Sequence, residues 1–154
     1  MQKKNGWRTL MNDTAILIDT NIILDWLLLR EPFYIQAKEI IECCIRDEIQ
    51  GCLASHTLLN IFFITRKDKT VEERKEIIFM LCDNFNIIEV DKQMIITALK
   101  NKAWDDLEDG LQIQCAIKEK VNYIITRDPK GFLSSQIQVF SPGEFIQLKN
   151  KGSI

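Results

Sequence analysis

The sequence predicts an α/β domain with a mainly parallel central β-sheet. Short apolar segments alternate with longer segments of helical periodicity, and this alternation is typical of βαβ units. Two of the short segments, residues 15–18 and 122–126, carry apolar side chains at successive positions, as strands covered on both faces do. The 154 residues suit a single domain, which we predict at residues 14–148 with flexible termini at 1–13 and 149–154.

Each element is predicted from its periodicity and from the residues that start or stop it. Pro32 and Gly51 end the first two helices. Thr70 and Ser141, each with a glutamate three residues later, form capping boxes, and Asp91 caps a further helix. The predicted strands are residues 15–18, 52–54, 86–90, 122–126 and 137–140, and the predicted helices are residues 20–29, 33–47, 55–66, 70–81, 91–100, 106–120 and 142 onward.

Composition excludes several classes of protein. The longest unbroken apolar run, residues 77–82, is far shorter than a membrane-spanning helix, and the polar N-terminus lacks the apolar core of a signal peptide. We therefore expect a cytoplasmic protein with no membrane partner. Five cysteines without a CxxC pair and a single histidine, His56, favour buried reduced thiols over a zinc site.

The net charge of −2 provides no general attraction to nucleic acid. Contact with RNA would therefore depend on local basic residues, although each of these is by itself typical of a solvated surface charge. The candidates are Arg30, Arg66, Lys67, Lys69, Arg127 and Lys130.

Carboxylates follow two of the predicted strands at their carboxyl ends, the edge where open parallel sheets bind ligands. Asp19 follows the first strand, and Asp128 follows the strand at residues 122–126. A third source is the acidic segment at residues 105–109, whose acids divide between two sides of the next helix at about 100° per residue. The inward side is predicted to carry Asp105, Asp106 and Asp109 with Ile113, Ala116 and Ile117, and the polar side Glu108 with Gln112 and Glu119.

Such a group of carboxylates suits a hard divalent cation such as Mg²⁺ or Mn²⁺, which prefers oxygen ligands. A cation of this kind activates water and offsets charge during phosphodiester hydrolysis. Each acid also has a structural alternative. Asp19 would cap a helix, Asp128 would be a turn residue, and the acids at 105–109 would be favourable charge at a helix start.

Four motifs, in this order, resemble the PIN-domain family over residues 16–145. They are Asp19-Thr20-Asn21 after an apolar strand, a middle helix after Ser55, Asp109 seven residues before Ala116, and Ile124-Ile125-Thr126-Arg127-Asp128 with Phe132 four residues later.

The resemblance implies a Rossmann-like three-layer α/β/α sandwich, dependence on Mg²⁺ or Mn²⁺, and endonucleolytic cleavage of single-stranded or structured RNA. Many small bacterial members are similar to VapC-type toxins, which implies an antitoxin as partner, and a homodimer is a further expectation. By position, Asp19, Asp109 and Asp128 would be catalytic metal ligands. The residues that would orient ligands or contact substrate are Thr20, Asn21, Thr126 and Arg127.

Two positions depart from the family pattern. Asn60 stands five residues after Ser55, where the family usually has glutamate, and Gly131 stands where many relatives have an acid. Asparagine coordinates or hydrogen-bonds without negative charge, so we include Asn60 in the site. The segment Asp106-Leu107-Glu108-Asp109 resembles a PIN branch that carries asparagine in place of the usual middle-helix glutamate and an extra acid here. That resemblance implies that Asp106 supplies the missing charge as a further metal ligand. The alternative function is a catalytically weak or inactive PIN-like module that binds RNA or a protein. A phospho-receiver domain is disfavoured because its acceptor aspartate follows a central strand, whereas the key acid here follows the first.

Overall fold

The computed structural model describes residues 13–154, and in it five strands form one sheet. The strand order is β3-β2-β1-β4-β5, and every neighbouring pair is parallel. This confirms the predicted α/β class with a mainly parallel sheet. The strands are β1 (Ala15–Ile18), β2 (Gln50–Ala54), β3 (Asn86–Ile88), β4 (Tyr123–Ile125) and β5 (Gln138–Phe140).

Four helices in the described part of the chain begin directly after a residue whose side chain caps them: Thr70, Asp91, Asp106 and Ser141. Both predicted capping boxes form, at Thr70 and Ser141, and Asp91 accepts a hydrogen bond from the backbone N–H of Met94. The helices of the described residues are α1 (Thr20–Leu27), α2 (Tyr34–Ile45), α3 (Ser55–Ile64), α4 (Val71–Asn84), α5 (Lys92–Lys100), α6 (Leu107–Glu119) and α7 (Pro142–Asn150).

Two helix boundaries differ slightly from the prediction. Helix α1 ends two residues early, and Leu29 takes the left-handed conformation with φ 52° as the chain turns towards α2. Helix α7 continues two residues beyond the predicted domain boundary at 148, and Lys149 forms an ion pair with Glu48 at 3.0 Å. The predicted flexible N-terminus lies outside the described residues except for residue 13.

Alternate side chains of β1 enter the two cores on opposite faces of the sheet. Ile16 and Ile18 join a cluster with apolar side chains of α1, α2, α4 and α7, whereas Leu17 joins a second cluster with α5 and α6. Because every residue of β1 is buried, this strand is apolar throughout, as a central parallel strand requires. Helices on both faces make the three layers of the predicted sandwich.

The order of strands reverses between β1 and β4. The chain passes from β1 to β2 on one side of the sheet and later returns to β4 on the other side. In parallel sheets the crevice at such a reversal, beyond the carboxyl ends of the strands, is the usual place for a ligand. Asp19 and Thr126 immediately follow these two strands, so the topology alone brings them to that crevice.

Four of the five cysteines are buried, as the sequence predicts for most of them. Cys43, Cys44, Cys52 and Cys115 are buried free thiols, and Cys82 is exposed. Within residues 13–154 no helix combines the length and the apolar character needed to cross a bilayer.

Candidate active site

Asp19 is a buried carboxylate at the centre of the crevice, and each of its oxygens accepts a hydrogen bond. Gln112 Nε2 donates to Asp19 Oδ1 at 2.9 Å, and Thr126 Oγ1 donates to Oδ2 at 2.8 Å. Asp19 stands at the N-terminus of α1, but its side chain makes no capping hydrogen bond there. The structure therefore does not use Asp19 as a helix cap, which was the structural alternative for this residue.

A second carboxylate, that of Glu108, contacts Thr20, the residue after Asp19, and is held by two predicted site residues. Thr20 Oγ1 donates to Glu108 Oε1 at 3.1 Å, and Asn60 Nδ2 donates to the same oxygen at 3.0 Å. The hydroxyl of Thr57 lies 3.0 Å from that of Thr20. Residues of α1, α3 and α6 thus meet at one carboxylate oxygen.

Asp109 lies in the most crowded part of the crevice. Burial, followed by the negative charges of Asp106, Asp19, Glu108 and Asp128, raises the pKa of its carboxyl from the ordinary 3.8 to about 6. These charges act on Asp109 because the ends of β1 and β4 and the start of α6 all face the same crevice. The three predicted metal ligands therefore belong to elements that meet at one crevice.

The predicted division of the acids around α6 is wrong in part. Gln112 and Glu108 were placed on the polar side, yet Gln112 is fully buried against Asp19 and Glu108 is half-buried. Ile117, predicted to face inward, is 46% exposed. The physical reason is that α6 packs against the sheet, α5 and residues 129–132 together, so more than one of its faces is covered.

Asp105 and Asp106 precede helix α6, so helical periodicity does not apply to them. Both are exposed, and Asp106 caps the helix by accepting a hydrogen bond from the backbone N–H of Asp109 at 3.1 Å. Asp106 therefore lies next to Asp109, but its contacts do not include Asn60. The residue that contacts Asn60 is Glu108, which the sequence analysis left outside the site.

Asp128 follows β4 in a short turn that Thr126 and Arg127 fix. The backbone N–H of Asp128 donates to Thr126 Oγ1 at 3.0 Å. Arg127 donates from Nε and Nη2 to the two oxygens of buried Asp25, at 2.7 and 3.3 Å, and its guanidinium lies 4.2 Å over the ring of Phe33. Arg127 was predicted to contact substrate, but its guanidinium is already paired within the protein.

The other predicted residues lie at the surface. Asn21 is exposed, and its side chain makes no hydrogen bond within residues 13–154. Arg30 lies 3.7 Å from Asp25, and Arg66 lies over the ring of Phe63 at 3.7 Å. Lys130, one residue after Pro129, is exposed near the crevice. The basic residues predicted to contact RNA thus remain candidates at the surface, apart from Arg127.

Gly131 is the residue that makes room for Asp109. A Cβ at position 131 would collide with Oδ2 of Asp109 and lie 2.7 Å from its Cγ. Many relatives have an acidic residue at this position. Such a side chain would fit here only if Asp109 moved. The departure from the family pattern at this position is a packing requirement of this chain.

The oxygen atoms of the crevice suit a divalent cation that keeps several waters better than one that is coordinated by side chains alone. Among residues 13–154 no group of three or more aspartate, glutamate, histidine or cysteine side chains is arranged to hold a metal ion by itself. Two buried polar groups beside the acids nevertheless have unpaired atoms, namely Oε1 of Gln112 and both ring nitrogens of His56. Mg²⁺ commonly binds through one or two carboxylates and keeps several waters, and waters of this kind would supply partners to such atoms.

A protein-family model described as the PIN domain matches residues 15–130. The chain belongs to the PIN domain family. It is also similar to "Ribonuclease VapC1" of Aquifex aeolicus (strain VF5), with 26% identity over 147 residues that cover 91% of this chain and 99% of that protein.

Solved structures of similar fold include proteins studied as complexes. One is the "Toxin-antitoxin complex from Klebsiella pneumoniae", with 25% identity, a TM-score of 0.61, and coverage of 82% of this chain and 97% of that chain. Another is VapBC2 from Rickettsia felis bound to a DNA fragment from its promoter, with 16% identity, a TM-score of 0.60, and coverage of 83% and 98%. The second likeness shows the shared PIN-type fold alone.

Replacing Gly131 by alanine tests the packing around Asp109. We expect Gly131→Ala to displace the Asp109 carboxylate and to weaken Mn²⁺ binding by about tenfold or more, as loss of ligand orientation does in other metal sites. Calorimetric titration with Mn²⁺ measures this. Gly143→Ala is the control, since its added Cβ meets only the end of the Gln36 side chain, at 3.0 Å. Equal Mn²⁺ affinity of Gly131→Ala and wild type would contradict the packing argument.

The raised pKa of Asp109 predicts a pH-dependent stability of the metal-free chain. Because the folded state binds the Asp109 proton more tightly than the unfolded state, stability falls as pH rises from about 3.8 to about 6. In EDTA at pH 8, Asp109→Asn should therefore raise the free energy of unfolding by about 1 kcal/mol after allowance for solvent screening, or Tm by roughly 3 °C. At pH 3.5 the difference should vanish. Thermal melts at both pH values check this, and a variant less stable than wild type at pH 8 would contradict it.

Removing the charge of Asp25 tests its ion pair with Arg127. We expect Asp25→Asn to lower the free energy of unfolding by about 2 kcal/mol, because Arg127 would lose its charged partner in a half-buried place. Urea unfolding measures the loss. Glu42→Gln, which removes exposed pairs with Lys38 and Arg46, should cost less than about 0.5 kcal/mol. Equal losses in the two variants would show that the Asp25–Arg127 pair contributes no more to the free energy of unfolding than an exposed ion pair.

Proposed function

We propose that this chain is a divalent-metal-dependent endoribonuclease and the toxin of a toxin–antitoxin pair. The observation that most supports this is the crowding of carboxylates around Asp109, which lies with Asp19 and Asp128 at the reversal of strand order. Oxygen donors of this kind, with no cysteine among them, are those that Mg²⁺ and Mn²⁺ prefer. The relative named as a ribonuclease matches nearly its whole length to this chain.

The proposed roles of the side chains follow from their contacts. Asp19, Asp109 and Asp128 would hold the cation, with Asp106 and Asn60 beside them. A bound divalent cation supplies an activated water and offsets negative charge on the phosphodiester. Gln112 and Thr126 would hold the Asp19 carboxylate in a fixed orientation, since each donates a hydrogen bond to one of its oxygens.

The two departures from the family pattern do not favour an inactive module. Gly131 leaves the space that the Asp109 side chain occupies. Asn60 donates a hydrogen bond to the Glu108 carboxylate and so is part of the packed site. An RNA-binding module without catalysis needs neither the buried Asp19 nor a neighbouring group of acids that repel one another. These contacts therefore support catalysis over mere binding.

The proposed partner is an antitoxin protein. The toxin–antitoxin complex from Klebsiella pneumoniae contains a chain that is 25% identical to this one and is matched over 97% of its length. A short DNA-binding protein encoded beside this chain would support the pairing. The homodimer, the cytoplasmic location and the target RNA stay predictions.

Two single substitutions test the catalytic proposal. Asp19→Asn and Asp109→Asn should each abolish Mn²⁺-dependent cleavage of an end-labelled single-stranded RNA, because each removes a carboxylate that would hold the cation. Gel analysis of the products over time measures cleavage, and near-ultraviolet circular dichroism checks that the fold is retained. Asp83→Asn, at an exposed position on α4, is the control and should cut like wild type.

The outcomes separate the competing functions. Wild-type cleavage that stops in EDTA and is lost in both variants supports the enzyme. A wild-type chain that binds RNA equally well in EDTA and never cuts it would be a binding module. If one variant cuts like wild type, that residue is not in the catalytic site.

A further inference from the structure

We propose that Glu108 is a metal-site residue of this enzyme, supplying from α6 the negative charge that Asn60 does not supply from α3. This inference rests on the proposed function and names a residue that the sequence analysis assigned to the polar side of α6. It also replaces Asp106 as the acid that compensates for Asn60.

The contacts of Glu108 fix one of its oxygens and leave the other available. Oε1 accepts hydrogen bonds from Asn60 Nδ2 at 3.0 Å and from Thr20 Oγ1 at 3.1 Å. Oε2 has no hydrogen-bond partner in the described part of the chain. A carboxylate oriented in this way through one oxygen can offer the second to a cation or to its waters. Asn60 therefore acts as a positioning residue for Glu108.

A second, independent observation comes from Gln112, one helical turn after Glu108. Gln112 is fully buried, and while its Nε2 donates to Asp19, its Oε1 has no partner. Buried amide oxygens are nearly always hydrogen-bonded, so an unpaired one indicates a missing donor such as a bound water. The edge of α6 that carries Glu108 and Gln112 thus faces Asp19 with one unsatisfied polar atom, as expected for the wall of a hydrated ion site.

Asp106 fits this role less well. Its Oδ1 accepts the backbone N–H of Asp109 as a helix cap, and its side chain is exposed. The structural alternative for Glu108 is that its charge merely favours the start of a helix. That alternative predicts an effect on stability alone, so metal binding separates the two.

The first experiment measures the Mn²⁺ affinity of four proteins by calorimetry. Glu108→Gln keeps the size of the side chain and should weaken Mn²⁺ binding about 10–100-fold relative to wild type. Asp106→Asn, which keeps a good helix cap, should weaken it less. Glu119→Gln makes the same charge change about 16 Å further along α6, where Glu119 accepts a hydrogen bond from Asn86, and should bind like wild type.

The second experiment moves the charge across the Asn60–Glu108 hydrogen bond. In Asn60→Glu with Glu108→Gln, the carboxylate sits on α3 and the amide on α6, so the pair keeps its hydrogen bond with the donor reversed. This double variant should regain Mn²⁺ affinity to within about threefold of wild type. It should also regain Mn²⁺-dependent RNA cleavage that Glu108→Gln has lost.

A third readout needs no metal. In EDTA, Asn60→Glu alone should lower Tm because two carboxylates face each other, whereas the same change made in Glu108→Gln should not. Non-additive melting temperatures show that the two side chains are in contact in solution. Additive ones would contradict the geometry on which the inference depends.

The results distinguish failure of this inference from failure of the proposed function. Wild type that neither binds Mn²⁺ nor cuts RNA overturns the function itself. Wild type that binds Mn²⁺, with Glu108→Gln binding equally well or with Asp106→Asn showing the larger loss, overturns only the assignment of Glu108. A double variant that stays as weak as Glu108→Gln does the same, because the charge would then not be interchangeable between α3 and α6.

Discussion

The buried carboxylate of Asp19 is the constraint around which the crevice is organised. A buried charge is costly unless hydrogen bonds replace its water, and here Gln112 and Thr126 provide one donor to each oxygen. These donors come from α6 and from the end of β4. Satisfying Asp19 therefore fixes both elements against β1, and the reversal of strand order that brings β4 beside β1 becomes a site with defined geometry.

The same arrangement explains why the other acids are close. Once Gln112 faces Asp19, the residue one turn earlier on α6, Glu108, lies beside Thr20 and Asn60, and Asp109 follows it into the crevice. Burial, and after it repulsion from the other acids, raises the pKa of Asp109. Selection for stability alone would favour acids that lie further apart. Unfavourable repulsion of this kind is typical of the places where proteins bind ligands.

The sequence was informative where topology decides position. Asp19 and Asp128 were predicted correctly to reach one edge because parallel strands end there, and this needs no knowledge of side-chain packing. The roles of Glu108 and Gln112 were missed because the helical phase was counted from residues 105 and 106, before the helix begins, and because α6 is covered on more than one face. The partner of Arg127 was not predictable at all, since Asp25 is 102 residues away in the chain and nothing local indicates the contact.

The two departures from the family pattern acquire a different meaning when they are considered in space. A comparison by position counts Asn60 as a lost charge and Gly131 as a lost acid, and both then argue against activity. The affinity of a cation site depends instead on the charge within its volume and on how rigidly that charge is held. Asn60 lies against the carboxylate of Glu108, and Gly131 lies against the carboxylate of Asp109. Asn60 thus accompanies an acid from α6, and Gly131 leaves space for another, so neither departure by itself removes the negative charge of the crevice.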